Sequence, residues 1–109
     1  MATKNIRSGI GDLVNDLVKV LNNTTNATQQ TELLKIVNAL MILWQQVIFD
    51  QLNKETADYK AALASLDTAK EAAVQAKKDL DNVAEAIKRA AAAAKAVDKV
   101  INFAVKLLA

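Results

Sequence analysis

The sequence predicts an all-α fold, and three observations lead to that prediction. The chain contains no proline, and its two glycines, Gly9 and Gly11, both lie near the start. Alanine, leucine, lysine and glutamine, which favour helices, are abundant. Valine and isoleucine recur at helical spacing and do not alternate as they would in a strand. Because 109 residues suffice for one core, we predict a single helical domain over residues 1–109.

The first predicted helix covers residues 6–22. Its apolar residues recur at steps of one, three and four, which places on one side Ile6, Ile10, Leu13, Val14, Leu17, Val18 and Leu21. Residues 22–30 follow as a predicted loop, because Asn and Thr side chains compete for backbone hydrogen bonds. Within that loop, Asn26 is a candidate N-cap of the next helix, with Gln29 completing a capping box.

The second predicted helix, residues 27–53, is apolar around nearly its whole circumference. Such a helix in a soluble protein must be enclosed by neighbouring helices or by other copies of the chain. We therefore predict that this segment forms the core. We expect Trp44 to pack in this core, and the alternative is that Trp44 and Phe49 anchor a partner protein.

The apolar pattern weakens at residues 53–58, where Asn53 or Thr56 is a candidate N-cap. We predict a chain reversal at this point because the second helix needs a neighbour to pack against. One uninterrupted helix through these residues is the alternative.

The last predicted helix covers residues 57–108 and carries an apolar repeat of seven residues. From Leu66, steps of three and four alternate without interruption, a pattern typical of a left-handed coiled coil. The candidate interaction seam comprises Leu66, Ala73, Leu80, Val83, Ile87, Ala94, Val97, Ile101 and Leu108. We predict one long, alanine-rich, coiled-coil-like helix in an antiparallel hairpin or three-helix bundle that self-associates. A break near residues 79–82, giving a compact four-helix bundle, is the alternative.

The residue types argue against an enzyme. The chain has no histidine and no cysteine, so the usual general base, the usual nucleophile and soft metal ligands are missing. We interpret carboxylate pairs such as Asp67 and Glu71 as solvated charges on the flank of a helix. We accordingly expect no cofactor and no bound metal.

Charge and hydropathy narrow the choice of partners. A net charge of +2 with mixed signs gives no reason to expect nucleic-acid binding. The sequence has no run of roughly 20 apolar residues, so we expect no transmembrane span. The first eleven residues contain no apolar run typical of a signal peptide, which predicts a cytoplasmic protein, with signal-less export as the alternative.

The sequence therefore predicts a non-enzymatic structural or protein-interaction module. It would bury its seam against further copies of the chain or against a heterologous helical partner. The alternative is a protein that binds lipid surfaces through its C-terminal helix, because residues 86–109 carry five basic residues against one acidic residue. The candidate contacts of this tail with a membrane or partner are Lys95, Lys99, Phe103 and Lys106.

Overall fold

The protein is a bundle of four α-helices, seen in a computed structural model that describes residues 5–49 and 56–101, with the side chains of 47–49 excluded. The helices are α1 (Ile6–Asn23), α2 (Ala27–Phe49), α3 (Ala57–Lys78) and α4 (Val83–Ile101), and a 3-10 turn (Leu80–Asn82) joins α3 to α4. The described residues contain no strand. The prediction of an all-α bundle is therefore confirmed.

The helices alternate in direction along the chain. After the connection at residues 24–26, α2 returns antiparallel to α1. At the start of α1 the Ile6 backbone N–H donates a hydrogen bond to the Tyr59 hydroxyl, and farther along Lys77 pairs with Asp16. These two contacts show that α3 runs parallel to α1. The chain has therefore reversed between α2 and α3, as the weakened apolar pattern predicts.

The last helix completes a square arrangement. The Lys99 Nζ lies 3.5 Å from the Asp58 Oδ1, so the end of α4 lies beside the start of α3 and the two helices are antiparallel. Around the bundle the order is α1, α2, α4, α3, and α1 scarcely contacts α4. Each helix therefore has two close neighbours and one side that faces away from the bundle.

Polar residues mark the helix starts at Asn5, Asn26 and Thr56. Each side chain accepts a hydrogen bond from the backbone N–H three residues later, at 2.8, 3.0 and 3.2 Å respectively. Such caps satisfy backbone donors that have no partner inside the first helical turn. Two of them, Asn26 and Thr56, stand where the sequence offers candidate caps.

The prediction of one long coiled-coil-like helix over residues 57–108 is wrong, because α3 ends at Lys78 and the chain folds back. Asp79 is extended (φ −147°, ψ 114°), and its Oδ1 accepts a hydrogen bond from the Asp81 N–H at 3.0 Å. A straight helix over 57–108 would run about 78 Å, whereas the described part of the chain extends 39 Å in its longest dimension. Folding back lets both halves of the apolar repeat cover α1 and α2.

The alternative of a break near residues 79–82 is therefore correct, and the bundle has four helices where three were predicted. Residues 50–53 and 102–108, which end the second and last predicted helices, lie outside the described residues.

Candidate protein-interaction surface

The predicted interaction seam lies inside the bundle. Its described members are buried or partly buried between α3, α4 and their neighbours, except that the turn residue Leu80 is 44% exposed. The buried members are Leu66, Ala73, Val83, Ala94 and Val97, the partly buried ones are Ile87 and Ile101, and Leu108 lies outside the described residues. Apart from Leu80, the chain's own helices cover the described members of the seam, so these residues do not face outward in the single chain.

The exposed apolar residues concentrate on another side of the molecule. Among the described residues, four large apolar side chains are exposed: Val18 (37%), Leu34 (51%), Met41 (42%) and Leu80. Leu34 and Met41 stand seven residues apart on α2, so they share one side of that helix. Of the two predicted ways to enclose α2, the neighbouring helices of the same chain leave this side open, and enclosure by other copies stays a prediction.

A surface groove of about 550 Å³ opens between α1 and α2 beside Met41. Its apolar lining comprises Ile10, Gly11, Val14, Met41 and Trp44. Exposed apolar residues continue beyond the groove in one direction, because α1 and α2 are antiparallel. Val18 lies one helical turn beyond the groove on α1, and Leu34 lies two turns beyond it on α2. Together with the groove they form an apolar strip. We define the α1–α2 face as Gly11, Val18, Leu34, Met41 and Trp44.

Trp44 contributes both to the core and to this face. Its side chain is partly buried and packs against the core cluster. The Arg7 guanidinium lies 5.4 Å from the ring centroid, a cation–π distance. A Cβ atom built on Gly11 would lie 4.0 Å from the indole Nε1, so the indole nitrogen lies beside Gly11. The second candidate anchor, Phe49, has its side chain outside the described residues.

The rim of the α1–α2 face carries amides, although Lys19 and Lys35 are exposed one residue after Val18 and Leu34. Around it the helices expose Asn15 and Asn22 on α1 and Asn38 and Gln45 on α2. None of these amides makes a hydrogen bond to another described residue. Charged residues form 24% of the chain, yet Arg7 is the one described charged side chain at the groove that has no ion pair with a described residue. We call Asn15, Asn22, Asn38 and Gln45 the amide rim.

Ion pairs instead join α1 to α3. Lys77 Nζ lies 2.7 Å from the Asp16 Oδ1, and the Asp16 residue is only 8% exposed. Lys70 pairs with Asp12 at 3.4 Å in a more exposed position. The two pairs therefore join α1 to α3, and Asp12 also lines the groove.

The predicted basic tail is divided between described and undescribed residues. Lys95 and Lys99 are exposed on α4 together with Lys88, while Phe103 and Lys106 lie outside the described residues. The apolar side of α4 is buried in the bundle. The outward side of α4 therefore carries three lysines, of which Lys99 is paired with Asp58.

Comparison of the chain with protein-family models, with curated proteins and with solved structures finds no match. In residues 5–49 and 56–101, acidic residues form no group of three or more that could hold a metal ion. Across the same ranges, none of the helices combines the length and the apolar character needed to cross a membrane.

Proposed function

We propose that the protein is a non-enzymatic interaction module that binds a helical protein partner on the α1–α2 face. The observation that carries the proposal is the concentration there of three of the four exposed large apolar side chains of the described residues. Apolar side chains in a shallow groove between helices are the usual receptor of an amphipathic helix. Partly exposed tryptophan and arginine, such as Trp44 and Arg7, are also the residue types enriched at the centres of interfaces.

The length of the strip supports a helix as the docked element. Leu34 and Trp44 are ten residues apart on α2, which corresponds to about 15 Å at 1.5 Å per residue. An apolar stripe of about three helical turns on a partner would cover it. The membrane-surface alternative gains no exposed apolar side from Val83–Ile101, since the apolar side of this part of α4 is buried.

Photo-crosslinking from matched positions tests the proposal. Benzoylphenylalanine is placed at position 41, on the face, or at position 80, where the native side chain is equally exposed but lies on the turn between α3 and α4. In cells that express the chain, we expect protein adducts from position 41 and none from position 80. Adding Leu34→Gln should reduce the adducts. Equal adducts from both positions, or none from position 41, would contradict the proposal.

A further inference from the structure

We infer that the partner on the α1–α2 face is a second copy of this chain, bound face to face about a two-fold axis. This inference rests on the proposed function, because it names the occupant of the same surface. A two-fold dimer presents the same patch from both subunits, so the patch must be complementary to itself. The surface therefore must not bring like charges together, and its polar side chains must be able to hydrogen-bond to identical side chains.

The charge condition is met by the α1–α2 face better than by the opposite side of the bundle. Its rim carries the amides Asn15, Asn22, Asn38 and Gln45. Arg7 is the one described cation at its groove without an ion pair, so two copies bring few like charges together there. On the outward side of α4, two copies would oppose Lys88 and Lys95 to one another, together with Lys99, which is paired with Asp58. Opposed like charges disfavour association, and charge is normally depleted at the centre of an interface.

The hydrogen-bonding condition is also met by the amide rim. Each primary amide offers a carbonyl acceptor and two N–H donors, so an amide can pair with an identical amide. Rims of carboxylates or ammonium groups cannot do this, because each type supplies only acceptors or only donors. The four amides make no hydrogen bonds to described residues of their own chain, which leaves them available.

The sequence of α2 supplies an independent reason for a second copy. Its apolar residues surround nearly the whole helix, and such a helix has to be enclosed by neighbours or by other copies. Its two neighbouring helices, α1 and α4, enclose only part of it and leave Leu34 and Met41 exposed. An identical face would cover these two side chains with the same residues of the other copy.

Gly11 adds a steric argument for close approach at this face. Alanine would fit its position, since a new Cβ would meet only the Trp44 Nε1 at an ordinary van der Waals distance of 4.0 Å. Packing within the chain therefore does not require glycine, although glycine inside a helix is about 1 kcal/mol less favourable than alanine. The missing methyl group leaves room for a side chain of the second copy beside the indole ring.

Light scattering after size-exclusion chromatography, over a hundredfold range of concentration, tests the inference. We expect the mass of two chains, falling toward one chain on dilution. The double variant Leu34→Gln with Met41→Gln should raise the dissociation constant about a hundredfold or more, because four apolar side chains leave the dimer interface. The control Leu80→Gln should leave it unchanged, and circular dichroism should show that both variants keep their helices.

Charge variants of the amide rim test the pairing itself. Asn38→Lys with Gln45→Lys should give single chains, and so should Asn38→Glu with Gln45→Glu, since each places like charges on both sides of the axis. An equimolar mixture of the two should regain the mass of two chains.

A single-chain mass for the unmodified chain at every concentration would overturn the inference. So would a dimer that survives substitution of Leu34 and Met41, or a mixture of charge variants that stays monomeric. If the chain is monomeric but position 41 crosslinks to a different protein, the second copy is excluded and the proposed function stands. Monomeric behaviour without any crosslink from position 41 removes both.

Discussion

The two helix pairs of the bundle build their interiors from different residues. Among the described residues, α3 and α4 bury twelve apolar residues, of which eight are alanine, whereas α1 and α2 bury eleven, of which one is alanine. Small side chains let helix axes approach closely, and α3 and α4 accordingly share the most extensive helix contact of the molecule. The α1–α2 pair is held apart by larger side chains and leaves a groove at its outer edge.

The two helix pairs differ in how fully the chain covers their apolar residues. The alanine repeat is the most regular pattern in the sequence, and it is used to close the chain on itself. The less regular helix α2 has more apolar residues than its own chain can cover. The stronger periodic signal therefore belongs to the fold, and the surplus of apolar residues on α2 belongs to the proposed interface.

Shortening a core side chain in the first pair should have the largest effect on stability. Leu13 is fully buried on α1, so Leu13→Ala removes apolar contacts and leaves a cavity. We expect a loss of about 2–5 kcal/mol in the free energy of unfolding. Urea denaturation followed by circular dichroism measures this loss, and a change below about 1 kcal/mol would contradict the described packing of α1.

Enlarging a side chain should be the damaging change in the second pair. Ala90 is fully buried on α4, so Ala90→Leu forces α4 away from its neighbours. We expect a loss of about 1–3 kcal/mol from overpacking. The matched variant Ala84→Leu lies on the exposed side of α4 and should change stability by less than about 0.5 kcal/mol. Equal effects in the two variants would mean that the alanine seam is not closely packed.

The two ion pairs between α1 and α3 should differ in strength. Asp16 is largely buried beside Lys77, and its replacement in Asp16→Asn removes a charge-assisted hydrogen bond of 2.7 Å. We expect Asp16→Asn to lower the free energy of unfolding by about 1.5–3 kcal/mol. Asp12→Asn, at the exposed pair with Lys70, should lower it by no more than about 1 kcal/mol. The reverse order in urea denaturation would contradict the burial of Asp16.

Replacing the glycine at the groove should slightly stabilise the monomer, whereas the substitutions of Leu13, Ala90 and Asp16 should destabilise it. Gly11→Ala adds a methyl group that fits within the chain, so the free energy of unfolding of the monomer should rise by about 0.5–1 kcal/mol. The same methyl group should weaken self-association, because it occupies the space beside Trp44. Denaturation in the monomeric background Leu34→Gln with Met41→Gln separates the two effects. A destabilised monomer would show that the space at Gly11 is already filled.

The sequence is informative about the helices and less so about their arrangement. The start of α1 at Ile6, the cap at Asn26 and the cap at Thr56 follow from local side-chain chemistry, which acts over a few residues. The break at Asp79 could not be chosen from the periodic pattern, because the seven-residue repeat continues through it in register. Tertiary packing decides it: folding back buries both halves of the repeat, whereas a straight helix leaves most of one half in water.

Of the candidate interface, the sequence indicated only Trp44, for a related reason. The sequence identifies α2 as apolar on all sides, but it does not show which side the rest of the chain leaves uncovered. Once Leu33, Leu40 and Leu43 are assigned to the core, Leu34 and Met41 remain as the surplus. That surplus, together with the absence of charge at Asn38 and Gln45, is the signal that points to the α1–α2 face.

The distance between α3 and α4 in solution tests most directly the claim that the alanine repeat closes within one chain. The chain has no cysteine, so Lys60→Cys with Lys95→Cys allows two spin labels to be attached specifically at exposed positions. Double electron–electron resonance, with labelled chain diluted into unlabelled chain, reports the distance within one molecule. The hairpin predicts less than about 30 Å, because neighbouring helix axes lie about 8–10 Å apart and each label adds an arm. A distance near 53 Å, which 35 residues of continuous helix would give at about 1.5 Å each, would contradict the hairpin and return the seam to the surface.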